Sequence, residues 1–274
     1  MVTTIGDNRN NKIIGTKKED LLRGGDGDDF LKGLKGNDTL IGDRGSDRKF
    51  GGKGNDLFVW NNGDGSDINE GGKDYDISRI NGADAGDEFE LEAKGHQALF
   101  QRINLVPFSV DANNVEKFEL NGLGGDDTIT VKDLSGTDVK QVYIAGGEGN
   151  DWLDARYTAV NIKAYGGEGY DTIYGGKGND WIDGGKGNDW IDGGKGYDKF
   201  LIASGNGYDQ IKDFEVDKDY ISLGGGLSYK DIELTQKYSG TVISADDEKL
   251  AFLSSVNADH LSADNFGVIF NSQL

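Results

Sequence analysis

Four aspartates, Asp171, Asp180, Asp189 and Asp198, recur every nine residues, each five positions after the start of a Gly-Gly pair and two after a further glycine. Glycine permits the positive backbone angles of a tight turn and leaves its carbonyl oxygen uncovered. A carboxylate beside such carbonyls is a hard, all-oxygen donor set, which Ca2+ takes as ligand. The elements that must position these groups follow from the residues between them. After each aspartate come three residues, Thr-Ile-Tyr or Trp-Ile-Asp, long enough for one short strand. Its middle side chain (Ile173, Ile182, Ile191, Phe200) points inward by the period-two rule. A turn plus a strand, repeated, winds into a solenoid with two cells, about 18 residues, per circuit. Aspartates two cells apart then stack on one edge, Asp171 over Asp189 and Asp180 over Asp198, with an ion between stacked turns. A flexible glycine-rich linker would not keep an apolar residue at every ninth position.

The stretch GGEGYDTIY GGKGNDWID GGKGNDWID GGKGYDKFL resembles the nonapeptide GGxGxDxUx of the RTX, or haemolysin-type, calcium-binding family. The resemblance implies an all-β fold: a right-handed parallel β-roll or β-helix solenoid with Ca2+ in its turns, capped by a small β-rich C-terminal segment. It implies metal ligands at Asp171, Asp180, Asp189 and Asp198, with Gly167, Gly169, Gly176, Gly178, Gly185, Gly187, Gly194 and Gly196. Stepping in nines through the N-terminal region gives GGDGDDFLK, GLKGNDTLI, GDRGSDRKF and GGKGNDLFV, hence Asp29, Asp38, Asp47 and Asp56 with Gly25, Gly27, Gly52 and Gly54. Asp67, Asp127, Asp151 and Asp209 extend the set, and Asp213 and Asp219 match the family's closing segment. The degenerate cells around Asn11 and Asp20 read as a capping coil with few or no ions. Stacked pairs imply at least about six ions, and six would take the formal charge of −20 to about −8.

Four regions are expected. Residues 1–77 form an N-terminal roll block and 146–221 a second one; both stretch their period after Val59 and Leu201, which suggests an internal duplication. Residues 78–145 lose the nonapeptide but keep apolar alternation at Phe89/Leu91, Phe118/Leu120, Ile129/Val131 and Val142/Ile144. They read as the same solenoid with wider coils, the alternative being a small inserted β-domain. Pro107 marks a loop. Residues 222–274 form a cap of short strands, with Asn257 starting one helical turn over 258–261. Lys49 stands in an inward slot where an apolar residue belongs, so Lys49→Leu is expected to raise stability. Asp189, between Asp171 and Asp209, is expected to matter more than Asp29, which has the degenerate Asp20 turn on one side and Asp47 on the other.

Forty-five glycines, 35% hydrophobic residues and 49 acidic against 29 basic residues make a poor metal-free core, so the chain is expected to be disordered until calcium binds. The negative charge excludes a nucleic-acid partner, and no stretch is long and apolar enough to span a membrane. With no cysteine, metal replaces disulfides as the staple. The N-terminus has no apolar signal-peptide core. The resemblance implies instead export by a type I secretion apparatus reading a C-terminal signal, and a secreted, extracellular location. No HExxH, G-x-S-x-G or Walker sequence is present, and the two histidines, His96 and His260, lie in unrelated contexts, so an enzyme is not expected. Trp152 and Trp190 should share an outward face with Thr172 between them, Trp181 lying opposite. The function expected is structural, adhesive or matrix-associated, with calcium and an extracellular polysaccharide or cell surface as partners. The alternative is a carbohydrate-binding or carbohydrate-modifying module of the kind that accompanies epimerases.

Overall fold

The computed structural model describes residues 1–268, so the final six residues of the expected cap, with that part of any C-terminal signal, lie outside the described residues. The described chain is all-β apart from two single-turn helices, Ala258–His260 and Ala263–Asn265, the first capped by the Asn257 side chain. No helix among the described residues is long and apolar enough to cross a membrane. Two compact units are present: residues 1–123 with 129–143, and residues 124–128 with 144 onward.

In unit 1 successive short strands alternate between two parallel sheets. One sheet runs Val2–Ile5, Asp20–Arg23, Thr39–Ile41, Leu57–Asn61, Ile77–Asn81; the other runs Lys12–Ile14, Phe30–Lys32, Arg48–Lys53, Asp67–Lys73. Register follows from the sequence period: Leu22 pairs with Leu40 and Leu31 with Lys49, one circuit of two cells. The inward residues stack into buried columns, Leu22–Leu40–Phe58 and Ile13–Leu31–Lys49–Asn69. Where the sequence period stretches, the coil lengthens and Leu57 pairs with Ile77.

Beyond Asn81 the chain does not simply continue in wider parallel coils, because three strands run antiparallel. Ile77–Asn81 pairs in parallel with Lys117–Gly124, and Phe108–Asn113 pairs in parallel with Asp67–Lys73. Between them Glu88–Lys94, Gln97–Arg102 and Phe108–Asn113 run antiparallel. The reversal is local chemistry: a two-residue turn carries Gly95 at φ +69, the geometry of a tight hairpin, and a loop containing Pro107 makes the second reversal. Its core is aromatic, with Trp60 stacked on Phe108 at 3.6 Å and Phe100 between Phe89 and Phe108.

Unit 2 repeats the two-sheet arrangement. Asn161–Glu168, Trp181–Lys186, Lys199–Ile202, Tyr220–Leu223 and Phe266–Val268 form one parallel series; Trp152–Asp154, Thr172–Gly176, Trp190–Gly194, Asp209–Ile211 and Glu248–Ser254 form the other. Ala164, Ile182, Phe200 and Ile221 stack inside one sheet, and Leu153, Ile173, Ile191, Ile211 and Leu253 inside the other, all buried. The second series ends in an antiparallel meander, Glu233–Lys237, Gly240–Ala245 and Glu248–Ser254, closed by Asp246 and Asp247 at φ +47 and +67.

Candidate metal centre

The turns joining these strands are built by stacked glycines. Gly167 and Gly169 have φ of +124 and +137, which a side chain rarely adopts. A Cβ on either would also lie 2.0 Å from the Gly147 carbonyl oxygen or 1.8 Å from that of Gly149, one coil earlier. The glycine is required twice over, by backbone angle and by the close approach of a carbonyl. Of the glycines expected as ligands, Gly25, Gly27, Gly52, Gly54, Gly167, Gly169, Gly176, Gly185, Gly187, Gly194 and Gly196 share the positive φ; Gly178 does not. Columns of carbonyl oxygens therefore run along the turn edges of each unit.

Beside them runs a ladder of buried aspartates. One carboxylate oxygen of each accepts a backbone N–H from the coil before: Asp47 from Asp29 at 2.7 Å, Asp56 from Asp38 at 2.8 Å, Asp171 from Asp151 at 2.8 Å, Asp189 from Asp171 at 2.9 Å, Asp198 from Asp180 at 2.8 Å. The other oxygen, Oδ2, is buried with no donor at Asp29, Asp38, Asp47, Asp56, Asp76, Asp151, Asp171, Asp180 and Asp189. It faces a carbonyl. Asp171 Oδ2 and the Gly184 oxygen lie 2.1 and 2.3 Å from the point where a Cβ on Gly166 would sit, and Asp29 Oδ2 and the Gly42 oxygen lie 2.2 and 2.5 Å from the same point on Gly24. An unpaired buried carboxylate oxygen is costly. Burial accordingly pushes these carboxyls up, to about 6 at Asp38 and Asp151 and to about 7 at Asp47, Asp56, Asp76, Asp171 and Asp180. Carbonyl and carboxylate oxygens converging without a donor fit Ca2+, which binds oxygen only. Among the described residues no three acidic or histidine side chains cluster, because each turn offers one carboxylate and otherwise backbone.

A family model, the RTX calcium-binding nonapeptide repeat, matches in four copies, at residues 5–40, 23–58, 143–156 and 165–200. The chain carries RTX calcium-binding nonapeptide repeats. Comparison with curated proteins gives no match. Among solved structures, the extracellular lipase LipA from Serratia marcescens is 19% identical, over 94% of this chain and 40% of the lipase, with a TM-score of 0.34; the chain thus spans less than half of the lipase's length. The AlgE6R3 subunit of the Azotobacter vinelandii mannuronan C5-epimerase is 28% identical over 57% of this chain and 80% of the subunit, with a TM-score of 0.29.

Not every aspartate expected as a ligand presents an open oxygen. Asp219 Oδ2 accepts the Glu215 N–H at 2.8 Å, and both Asp213 oxygens accept N–H groups, from Gly193 and Gly194. Asp67 Oδ2 is taken by the Lys49 ammonium at 2.8 Å. Asp127 and Asp209 are buried members of the ladder, through the Asp127 N–H to Asp151 and the Asp189 N–H to Asp209. The backbone at the residue directly after the first glycine position explains the difference. Where the residue four before the aspartate has positive φ, as at Gly25, Gly167 or even Leu34 (φ +84) and Asp43 (φ +64), its N–H turns away. Where it does not, as at Thr16, Ala83 and Glu215, the N–H turns back onto Asp20, Asp87 or Asp219. Asp76 was missed by the sequence reading, although the Gly71-Gly72 spacing before it is that of the other cells; Asp74, at φ +84, stands in its third glycine position. The coil before Asp29 offers Asn11, whose N–H donates to it at 2.6 Å, and not Asp20. The expected gain from Lys49→Leu is also reversed, because Lys49 is ion-paired within the core and its removal would strand Asp67.

Proposed function

We propose that calcium binding completes the folding of this chain, and that the folded protein serves outside the cell in a structural, adhesive or matrix-associated role. The row of buried carboxylate oxygens without donors carries the reading: closing the coils at neutral pH without a cation would bury uncompensated charge along both turn edges. About six or more ions are expected. Extracellular modules of this kind bind calcium at roughly 0.1–1 mM, so the chain stays open in a cytosol and closes outside. Export through a type I apparatus with a C-terminal signal fits that order of events. Circular dichroism during a calcium titration from chelator is the test. At neutral pH β-structure should appear only with calcium, and a fully folded spectrum in chelator at that pH would refute the reading.

A carbohydrate-binding or carbohydrate-modifying role has one observation in its favour. Trp152, Thr172 and Trp190 stand side by side on neighbouring strands, both indoles 40% exposed, with the Lys212 ammonium 4.1 Å from the Trp190 ring centre. Flat exposed rings with adjacent cations suit sugar rings and acidic glycans. Saturable change of tryptophan emission with acidic or neutral polysaccharide, abolished in Trp152→Ala/Trp190→Ala, would establish binding; no change in emission would remove it.

A further inference from the structure

Within unit 1 the charge of one ladder aspartate is met from inside the protein. Lys49 and Asp67 are both fully buried, the ammonium 2.8 Å from Asp67 Oδ2 and 3.3 Å from the Val59 carbonyl oxygen. The other Asp67 oxygen accepts the Asp47 N–H at 3.0 Å, so neither is open. The turn differs as well. Five residues before Asp67 stands Asn62 where the open cells have glycine, and its side-chain oxygen accepts from Arg102 at 2.8 Å. Arg102 in turn is buried against Asp87 at 2.6 Å.

We propose that Lys49 is a covalently tethered substitute for calcium at Asp67, so that this coil closes without a metal ion; at Asp87 the Ala83 N–H already closes Oδ2 and Arg102 takes the other oxygen. The proposal rests on the calcium reading of the open aspartates and assigns the coils that reading does not reach. A lysine at the inward position is therefore no packing defect: its charge matches a carboxylate that elsewhere waits for an ion. Unit 1 then combines ion-bound coils with a coil held by a side-chain cation, which can form at calcium concentrations too low to fill the rest.

Calcium per chain, measured by mass spectrometry on full-length protein after gel filtration at saturating calcium, tests this. Asp67→Asn, Asp87→Asn and the double variant Lys49→Met/Asp67→Asn should each hold as many ions as the parent, whereas Asp171→Asn should hold at least one fewer. Loss of an ion in either Asp67 variant overturns the proposal. An unchanged count in Asp171→Asn would instead sink the calcium ladder, and melting then judges the pair on its own. Lys49→Met alone should lower the melting temperature by roughly 10 °C, and Asp67→Asn added to it should restore most of that. A double variant no more stable than Lys49→Met would overturn the pairing.

Discussion

Residues 166–201 of unit 2 and residues 67–102 of unit 1 both bury aspartates at the start of short strands, yet they dispose of the charge differently. In the first, Asp171, Asp180 and Asp189 each keep an oxygen with no donor, beside a stacked glycine carbonyl at Asp171 and Asp180. In the second, Asp67 and Asp87 face Lys49 and Arg102, while Asp76 between them keeps an open oxygen. The first is short in period, glycine-rich and nearly identical from coil to coil; the second has longer coils, an antiparallel excursion and an aromatic cluster. A carboxylate buried without a partner is tolerable only where something outside the chain supplies the cation. Regularity and metal dependence therefore go together: a side-chain cation needs its own geometry, whereas an ion between identical turns can be repeated indefinitely.

The largest effect should come from the stacked glycines. Gly187→Ala would place a Cβ 1.5 Å from the Gly169 carbonyl oxygen at φ +151, and the nearest atoms there are Gly169 backbone. A loss of roughly 3 kcal/mol or more is expected, a fall of about 10 °C in the calcium-loaded melting temperature. Gly205→Ala, at φ +83 with no atom near, should lose only the left-handed penalty of about 1–2 kcal/mol. Equal losses at the two sites would mean that backbone angle alone matters and that the carbonyl columns do not.

Next in size are the ladder carboxylates. The Asp189 carboxylate accepts from Asp171 and its own N–H donates to Asp209, so it has a carboxylate neighbour on each side; Asp29 has Asp47 on one side and the uncharged Asn11 on the other. Asp189→Ala should raise the calcium midpoint of folding about tenfold, or 1.4 kcal/mol, and Asp29→Ala about threefold. The same reasoning leads us to expect residues 146–274 to fold alone with calcium and residues 1–77 not to. Dichroism on the point variants and the two fragments measures both, and an autonomous N-terminal fragment beside an unfolded C-terminal one would reverse the order.

How much of this was legible in the sequence depends on what sets each feature. The nine-residue step fixed the strand register, the inward columns through Leu22, Leu31, Ile173 and Ile182, and the placing of Trp152 and Trp190 on one face. Alternation in residues 88–113 revealed strands but not their direction, because period two is the same in parallel and antiparallel pairs. Which aspartates stay open was hidden more deeply. It turns on φ four residues earlier, and Leu34 and Asp43 adopt there the conformation that composition reserves for glycine, while Thr16 and Ala83 do not. Lys49 looked like a fault because its partner lies one coil on, at Asp67.

A smaller effect, of opposite sign with and without metal, concerns pH. In the metal-free chain burial raises Asp171 and Asp180 from 3.8 to about 7, so the folded form binds more protons than the unfolded one across that interval. Stability of the metal-free fold is present below the unfolded value and lost as pH rises through about 7. Acidifying the chain in chelator from neutral pH toward pH 5 should therefore increase β-structure, whereas with limiting calcium the same change should weaken ion binding by competition. Dichroism in the two buffers separates them, and a fall in both would mean that the ladder carboxylates are not what opens the metal-free chain.

The smallest expected change tests whether the irregular cells of unit 1 are strained or merely different. Leu34 stands in a glycine position at φ +84, held there by its N–H to the Gly51 oxygen at 2.9 Å and by the Lys53 N–H to its own carbonyl at 3.1 Å. A β-carbon in that conformation costs about 1–2 kcal/mol, and glycine would remove the cost while adding roughly 0.4–1 kcal/mol of unfolded-state entropy. The half-buried leucine side chain contributes little to offset the difference. Leu34→Gly should thus raise the calcium-loaded melting temperature by about 2 °C. Leu34→Ala keeps the strained angle and loses the side chain, so it should give no gain. If the glycine variant melts no higher than the alanine one, the first block is as relaxed as the second, and its departures from the repeat carry no penalty in the folded coil.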